Sequence, residues 1–173
     1  GDRVFTDIDY AAYGKQRARI VPFFESQGYE LEKRSAVLSG GERHIFFGDP
    51  IPMIDVFYDR LNYNHPIDYR GRLEIHHHCV SLADLVLQKL QIVQINDKDL
   101  KDAMLLLLAA PVGGPASGKI DAGYLARILA DDWGFYYTST TNLRKVTSLT
   151  GEYLKLSTDE AKTVHERIDK LLL

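Results

Sequence analysis

Asp7-Ile8-Asp9 sets two carboxylates two residues apart. On a strand, side chains at i and i+2 point the same way, with their backbones about 6–7 Å apart. Two such charges repel, so a cation must sit between them or one must keep its proton. Hard divalent ions such as Mg2+ take carboxylate oxygens and keep waters that phosphate oxygens can replace. A third acid on a neighbouring strand completes a clamp for phosphoryl or nucleotidyl transfer. Asp55, in Met53-Ile54-Asp55-Val56-Phe57, fits that part, because it is an acid inside a hydrophobic strand. The competing reading makes Asp7 and Asp9 solvent-facing acids on an edge strand.

The elements that must position these acids come from the first half of the chain. Val4 to Tyr10 reads as a strand with Phe5, Asp7 and Asp9 on one face. Lys15 to Gln27 reads as a helix, with Ile20, Val21, Phe23 and Phe24 on one side, Pro22 as a local weakness and Gly28 as its stop. Tyr29 to Leu38 and His44 to Phe47 read as the two arms of a hairpin around Ser39-Gly40-Gly41. Ile51 to Tyr58 is a further strand.

From residue 80 onward the pattern is helical. Ser81 and Asp84 resemble a capping box with a shortened acid. They precede an apolar stripe of Leu82, Leu85, Val86, Leu90 and Val93. Asp97 to Ala110 predicts a second helix, with Leu100, Met104, Leu107 and Leu108 inward. Pro111 to Gly118 is a loop. Ile120 to Asp132, Ser139 to Leu149 and Thr158 to Leu172 are further helices, the last opened by Ser157 or Thr158 and the acids Asp159 and Glu160. The expected class is α+β, a mixed sheet followed by a helical subdomain, with residues 1–78 as the α/β core and residues 79–173 as the helical part.

The 173 residues suit one domain or two small subdomains. Twenty-four acids against 21 bases leave a net charge of -3, which argues against a strongly basic nucleic-acid coat. One cysteine, Cys79, excludes an intrachain disulfide framework and a CxxC metal knuckle. The longest apolar stretch, Met104 to Ala110, falls far short of the ~20 residues of a membrane span. No charged-then-apolar leader opens the sequence, so a cytoplasmic protein without membrane attachment is expected.

Arg3-Val4-Phe5-Thr6-Asp7-Ile8-Asp9-Tyr10 resembles the R-x-T-x-D-[IL]-D stretch of the nucleotidyltransferase superfamily, the DNA polymerase β-like fold. Within it the chain is similar to AbiEii-like nucleotidyltransferases, a group that includes toxin components of toxin–antitoxin and phage-defence systems. Further points of likeness follow in order: Gln27-Gly28-Tyr29, Ile54-Asp55-Val56-Phe57, Leu85 to Gln91, Lys98-Asp99-Leu100-Lys101-Asp102, Asp132-Trp133-Gly134 and Thr141-Asn142-Leu143. The resemblance implies a Mg2+- or Mn2+-dependent transfer of a nucleoside monophosphate from an NTP. Asp7 and Asp9 would hold metal at the nucleotide phosphates, and Asp55 would join the metal that activates the acceptor. Lys89 would meet phosphate or a carboxylate, and Arg3 and Thr6 would stand on the nucleotide side. The acceptor is open between RNA, a protein and a small molecule, and an antitoxin-like protein is an implied partner. One departure stands out. The superfamily carries a Gly-Gly or Gly-Ser turn upstream of the DxD strand, and only six residues precede Asp7 here. The expectation is therefore either an N-terminally shortened chain or acids retained without that phosphate cradle. The second case makes the protein a non-catalytic binding or regulatory module of the same fold.

His76-His77-His78-Cys79 invites a metal reading, but on a strand only two of its four side chains converge, so a structural role is expected. His65, before Pro66, reads as a turn histidine. Lys98, Asp99, Lys101 and Asp102 read as a solvated helix start, with an Asp99–Lys89 pair as the sharper alternative. Arg3, Lys15, Arg17, Arg19, Lys33, Arg34, Arg43, Arg70 and Arg72 make the first half locally basic, which suits either a nucleotide or RNA guide or a plain solvated face. No hydrolase elbow, Walker or dinucleotide pattern is present.

Overall fold

The computed structural model describes residues 6–115, 118–152 and 156–172. The chain divides into two compact units, residues 1–61 with 68–74, and residues 62–67 with 75–173. Their make-up is mixed α and β, with strands concentrated in the first unit and helices in the second.

The first unit is built on a four-stranded sheet of order β1-β4-β3-β2. Its strands are β1 (Asp7–Ala12), β2 (Glu30–Leu31), β3 (Arg43–Phe47) and β4 (Met53–Tyr58). β1 runs parallel to β4, whereas β4 with β3 and β3 with β2 are antiparallel. The alternation in β4 sends Ile54, Val56 and Tyr58 to one face, where they pack with Ala12, Phe46 and Tyr29. Helix α1 (Arg17–Ser26) covers that face with Ile20, Val21 and Phe24. Pro22 lies inside α1, and Gly28 follows at φ +85°. The left-handed conformation explains the glycine at this stop.

The expected hairpin arm from Tyr29 to Leu38 is a correction. Only Glu30–Leu31 is extended, and α2 (Lys33–Leu38) is helical. The Glu32 carboxylate accepts from the backbone N–H of Arg34 and Ser35, which supplies the cap that starts the helix. Gly40 and Gly41, at φ +60° and +76°, then end it, with Gly41 N–H donating to the Ala36 carbonyl at 2.8 Å. The glycines are a helix stop, not a hairpin turn.

Strands β5 (Arg60–Asn62) and β6 (Pro66–Asp68) pair with each other along the stretch where the chain passes between the units. The second unit holds α3 (Leu82–Leu90), α4 (Asp97–Ala109), the short parallel pair β7 (Val112–Gly113) and β8 (Ile120–Asp121), α5 (Ala122–Asp131), α6 (Trp133–Glu152) and α7 (Thr158–Leu172). Helix α4 packs against α3, α6 and α7. Leu87, Leu90, Met104, Leu107, Val146 and Val164 are fully buried there. The buried face of α3 is Ala83, Asp84, Val86, Leu87 and Leu90, one step round from the expected stripe. Val93 lies beyond the end of α3 and is exposed. Ser81 caps α3, accepting from Asp84 N–H and donating its hydroxyl to the Asp84 carboxylate at 2.6 Å. Helix α6 begins earlier than expected because the Asp132 carboxylate accepts from Phe135 N–H at 2.9 Å. Among the described residues, no helix is long and apolar enough to cross a membrane.

Candidate functional site

β1 and β4 are in register at the acids. Asp7 pairs with Met53, and Asp9 pairs with Asp55. Register partners in a parallel pair share a face, so Asp7, Asp9 and Asp55 all lie on the face opposite α1. The sheet thus brings the three carboxylates onto one side, Asp9 and Asp55 on strands about 4.8 Å apart.

Their environments differ. Asp7 and Asp9 are exposed. The Asp55 side chain is only 3% exposed, and Arg43, at 33%, covers it. Arg43 and Phe57 are register partners, as are Ile45 and Asp55, so Arg43 is the diagonal neighbour of Asp55 on the same face. Its Nε lies 2.9 Å from both Asp55 carboxylate oxygens, and its Nη2 also donates to Oδ2. The guanidinium stacks over the Phe57 ring, 5.3 Å from its centre. This is a two-pronged pair of the kind that fixes both partners.

The donor chemistry, carboxylates on one sheet face, fits a hard cation. As they stand, Asp7 and Asp9 face outward, and Asp55 spends both oxygens on a guanidinium. Among the described residues, no three His, Cys, Asp or Glu side chains gather closely enough to hold an ion between them. The convergence expected from the sequence therefore goes as far as a shared face and stops there. Thr6 is exposed, and its carbonyl accepts from Met53 N–H at 3.3 Å. Arg3 lies outside the described residues.

Lys89, on α3 in the second unit, meets carboxylates. Its Nζ stands 2.8 Å from Asp99 and 3.1 Å from Asp102 of α4. Burial works against the ammonium charge, but the bonds to Asp99 and Asp102 outweigh it and hold the Lys89 pKa above the ordinary lysine value. The sharper reading of Asp99 holds, and Asp102 joins it, while Lys98 is exposed as a solvated helix start would be. Asn142 anchors the same region by donating to the carbonyls of Leu90 and Ile92 at 2.9 and 2.8 Å. His65 lies in the turn between β5 and β6, as expected, and there it stacks on Phe135, ring centres 4.7 Å apart, and bonds Thr138 at 3.0 Å. Residues 75–80 form bends, and His76 Nδ1 lies 3.5 Å from Cys79 Sγ.

On the core side of the sheet, His44 Nδ1 lies 3.2 Å from the Tyr58 hydroxyl. Burial, and then the nearby Arg17 charge, push the His44 pKa below its usual value. Burial pushes the Tyr58 pKa up to about 12. The Arg17 guanidinium stacks on Tyr58, 5.0 Å from the ring centre.

Sequence reasoning placed Arg43 only among basic surface residues and missed its pairing. The signal was present. Arg43 and Asp55 fall on consecutive hydrophobic strands joined by Gly48-Asp49-Pro50, where a diagonal pair is within reach. Comparison with known proteins finds no matching family model, no similar curated protein and no similar solved structure.

Proposed function

We propose that the chain is a Mg2+-dependent nucleotidyltransferase in which a hydroxyl of an RNA, protein or small-molecule acceptor loses its proton and attacks the α-phosphorus of an NTP, taking the nucleoside monophosphate and releasing pyrophosphate. The observation that carries this reading is the Asp9–Asp55 register, which puts Asp7, Asp9 and Asp55 on one face of adjacent parallel strands. Asp7 and Asp9 would hold the ion that accompanies the nucleotide phosphates, and Asp55 would supply the third carboxylate. When bound, Mg2+ neutralises phosphate charge and makes an acceptor hydroxyl easier to deprotonate. The protein contributes position: a rigid sheet fixes the spacing of the acids, and α1 backs them with a packed core. Arg3 and Thr6, just before Asp7 in the sequence, belong to the same reading on the nucleotide side, where an NTP-using enzyme needs positive charge and donors.

A second reading is favoured by a specific observation. Asp55 is paired with Arg43, and Lys89 is paired with Asp99 and Asp102, so key groups neutralise one another within each unit. A non-catalytic binding module of the same fold would keep such pairs permanently. The test is incorporation of α-labelled ATP, GTP, CTP and UTP into separated RNA, protein and small-molecule fractions, with and without Mg2+. Mg2+-dependent label in one fraction supports the enzyme and names the acceptor class. Nucleotide binding without any transfer supports the module.

A further inference from the structure

We propose that Arg43 is a built-in counter-cation for Asp55, which a divalent ion must displace before all three carboxylates can share it. This rests on the nucleotidyltransferase reading of Asp7, Asp9 and Asp55. A buried carboxylate needs compensating positive charge, whether a metal or a guanidinium supplies it. Arg43 supplies it here with a two-pronged contact, Nε at 2.9 Å from each oxygen, on an acid that is 3% exposed. Both oxygens that would face an ion are spent on this contact. Arg43 itself is a third exposed, so it has room to turn outward, giving up the guanidinium's stacking on the Phe57 ring as it leaves the carboxylate. A guanidinium released from a carboxylate matches the oxygens of a phosphate by the same fork geometry. The ion and the nucleotide would thus each make the other's entry easier. The ion frees Arg43, and the nucleotide phosphates give Arg43 a new partner.

Mn2+ alone is the probe, followed by the loss of the free-ion electron paramagnetic resonance signal on titration into protein. Wild type, Arg43→Met, Arg43→Lys and Arg43→Met/Asp55→Asn are compared, with circular dichroism confirming the fold of each. Arg43→Met is expected to bind Mn2+ at least tenfold more tightly than wild type. Arg43→Lys, which keeps the charge but loses the fork, is expected to fall between them, and it serves alone should Arg43→Met fail to fold. The double variant is expected to lose the gain. Equal or weaker binding by both single variants, with binding still sensitive to Asp55→Asn, overturns the competition and leaves the acids as a cation site. No Mn2+ binding by wild type or either single variant at millimolar ion overturns both the competition and the metal site beneath it.

Discussion

Asp9 and Asp55 are register partners on the parallel strands β1 and β4, yet one is exposed and the other is buried beneath Arg43. The two acids share a face of the sheet and differ in what it costs to remove them. Asp7→Asn, at an exposed position, is expected to change stability by no more than about 0.5 kcal/mol. Asp55→Asn strips the charge from a buried pair and weakens the hold on Arg43, so it is expected to cost about 1–3 kcal/mol. Urea unfolding of both variants checks the order. Equal small effects would mean that the Arg43–Asp55 pair contributes nothing measurable.

His44 gives the first unit a pH dependence with a defined sign. Its folded pKa lies below the 6.5 of an ordinary histidine because burial and Arg17 oppose the charge. Above that value both folded and unfolded states are neutral and the contribution is complete. As pH falls below 6.5, the unfolded chain takes the proton first, and stability is lost until the folded pKa is passed. Melting temperatures between pH 8 and pH 5 are expected to fall more steeply for wild type than for His44→Gln. Parallel curves would place the acid sensitivity elsewhere.

Lys89 tests whether its ion pairs carry structure. Lys89→Met leaves Asp99 and Asp102, each 17% exposed, facing one another without their shared cation. The expected cost is about 1–3 kcal/mol, less than for a wholly buried pair because water reaches part of the site. The raised pKa means that this contribution is intact at neutral pH and lost only as pH climbs through the folded value, above 10.5. A variant as stable as wild type at pH 7 would show that the pair is solvated in practice.

Leu90 separates packing from chemistry. It is fully buried, and Leu90→Ala is expected to cost about 2–5 kcal/mol. Differential scanning calorimetry measures the loss. Nucleotide transfer is expected to persist below the lowered melting point, and loss of transfer in the folded variant would tie α3 to catalysis.

The sequence carried the elements better than their partners. β1, α1, β4 and α7 follow from short-range rules, because alternation or helical spacing dominates each and the flanking residues mark their ends. The stretch 29–41 misled because Tyr29, Leu31, Val37 and Leu38 suggest extended chain, whereas the Glu32 cap and Gly41 hydrogen bond decide for a helix. Alternation alone put Asp7 and Asp9 on one face, and the parallel register added Asp55. The Arg43 contact depends on a diagonal between strands, and Lys89 depends on how two helices cross, so neither is fixed by local pattern. The helix over 133–152 was read only in its middle because Gly134 and the threonines hide its start.

The most direct test of the nucleotidyltransferase account compares wild type with Asp9→Asn in Mg2+-dependent transfer from α-labelled NTPs, with melting curves on the same preparations. Asp9 is exposed, so the variant is expected to melt within a few degrees of wild type while transfer falls at least a hundredfold. Undiminished transfer by folded Asp9→Asn, or no transfer by wild type with any of the four NTPs, would contradict the account.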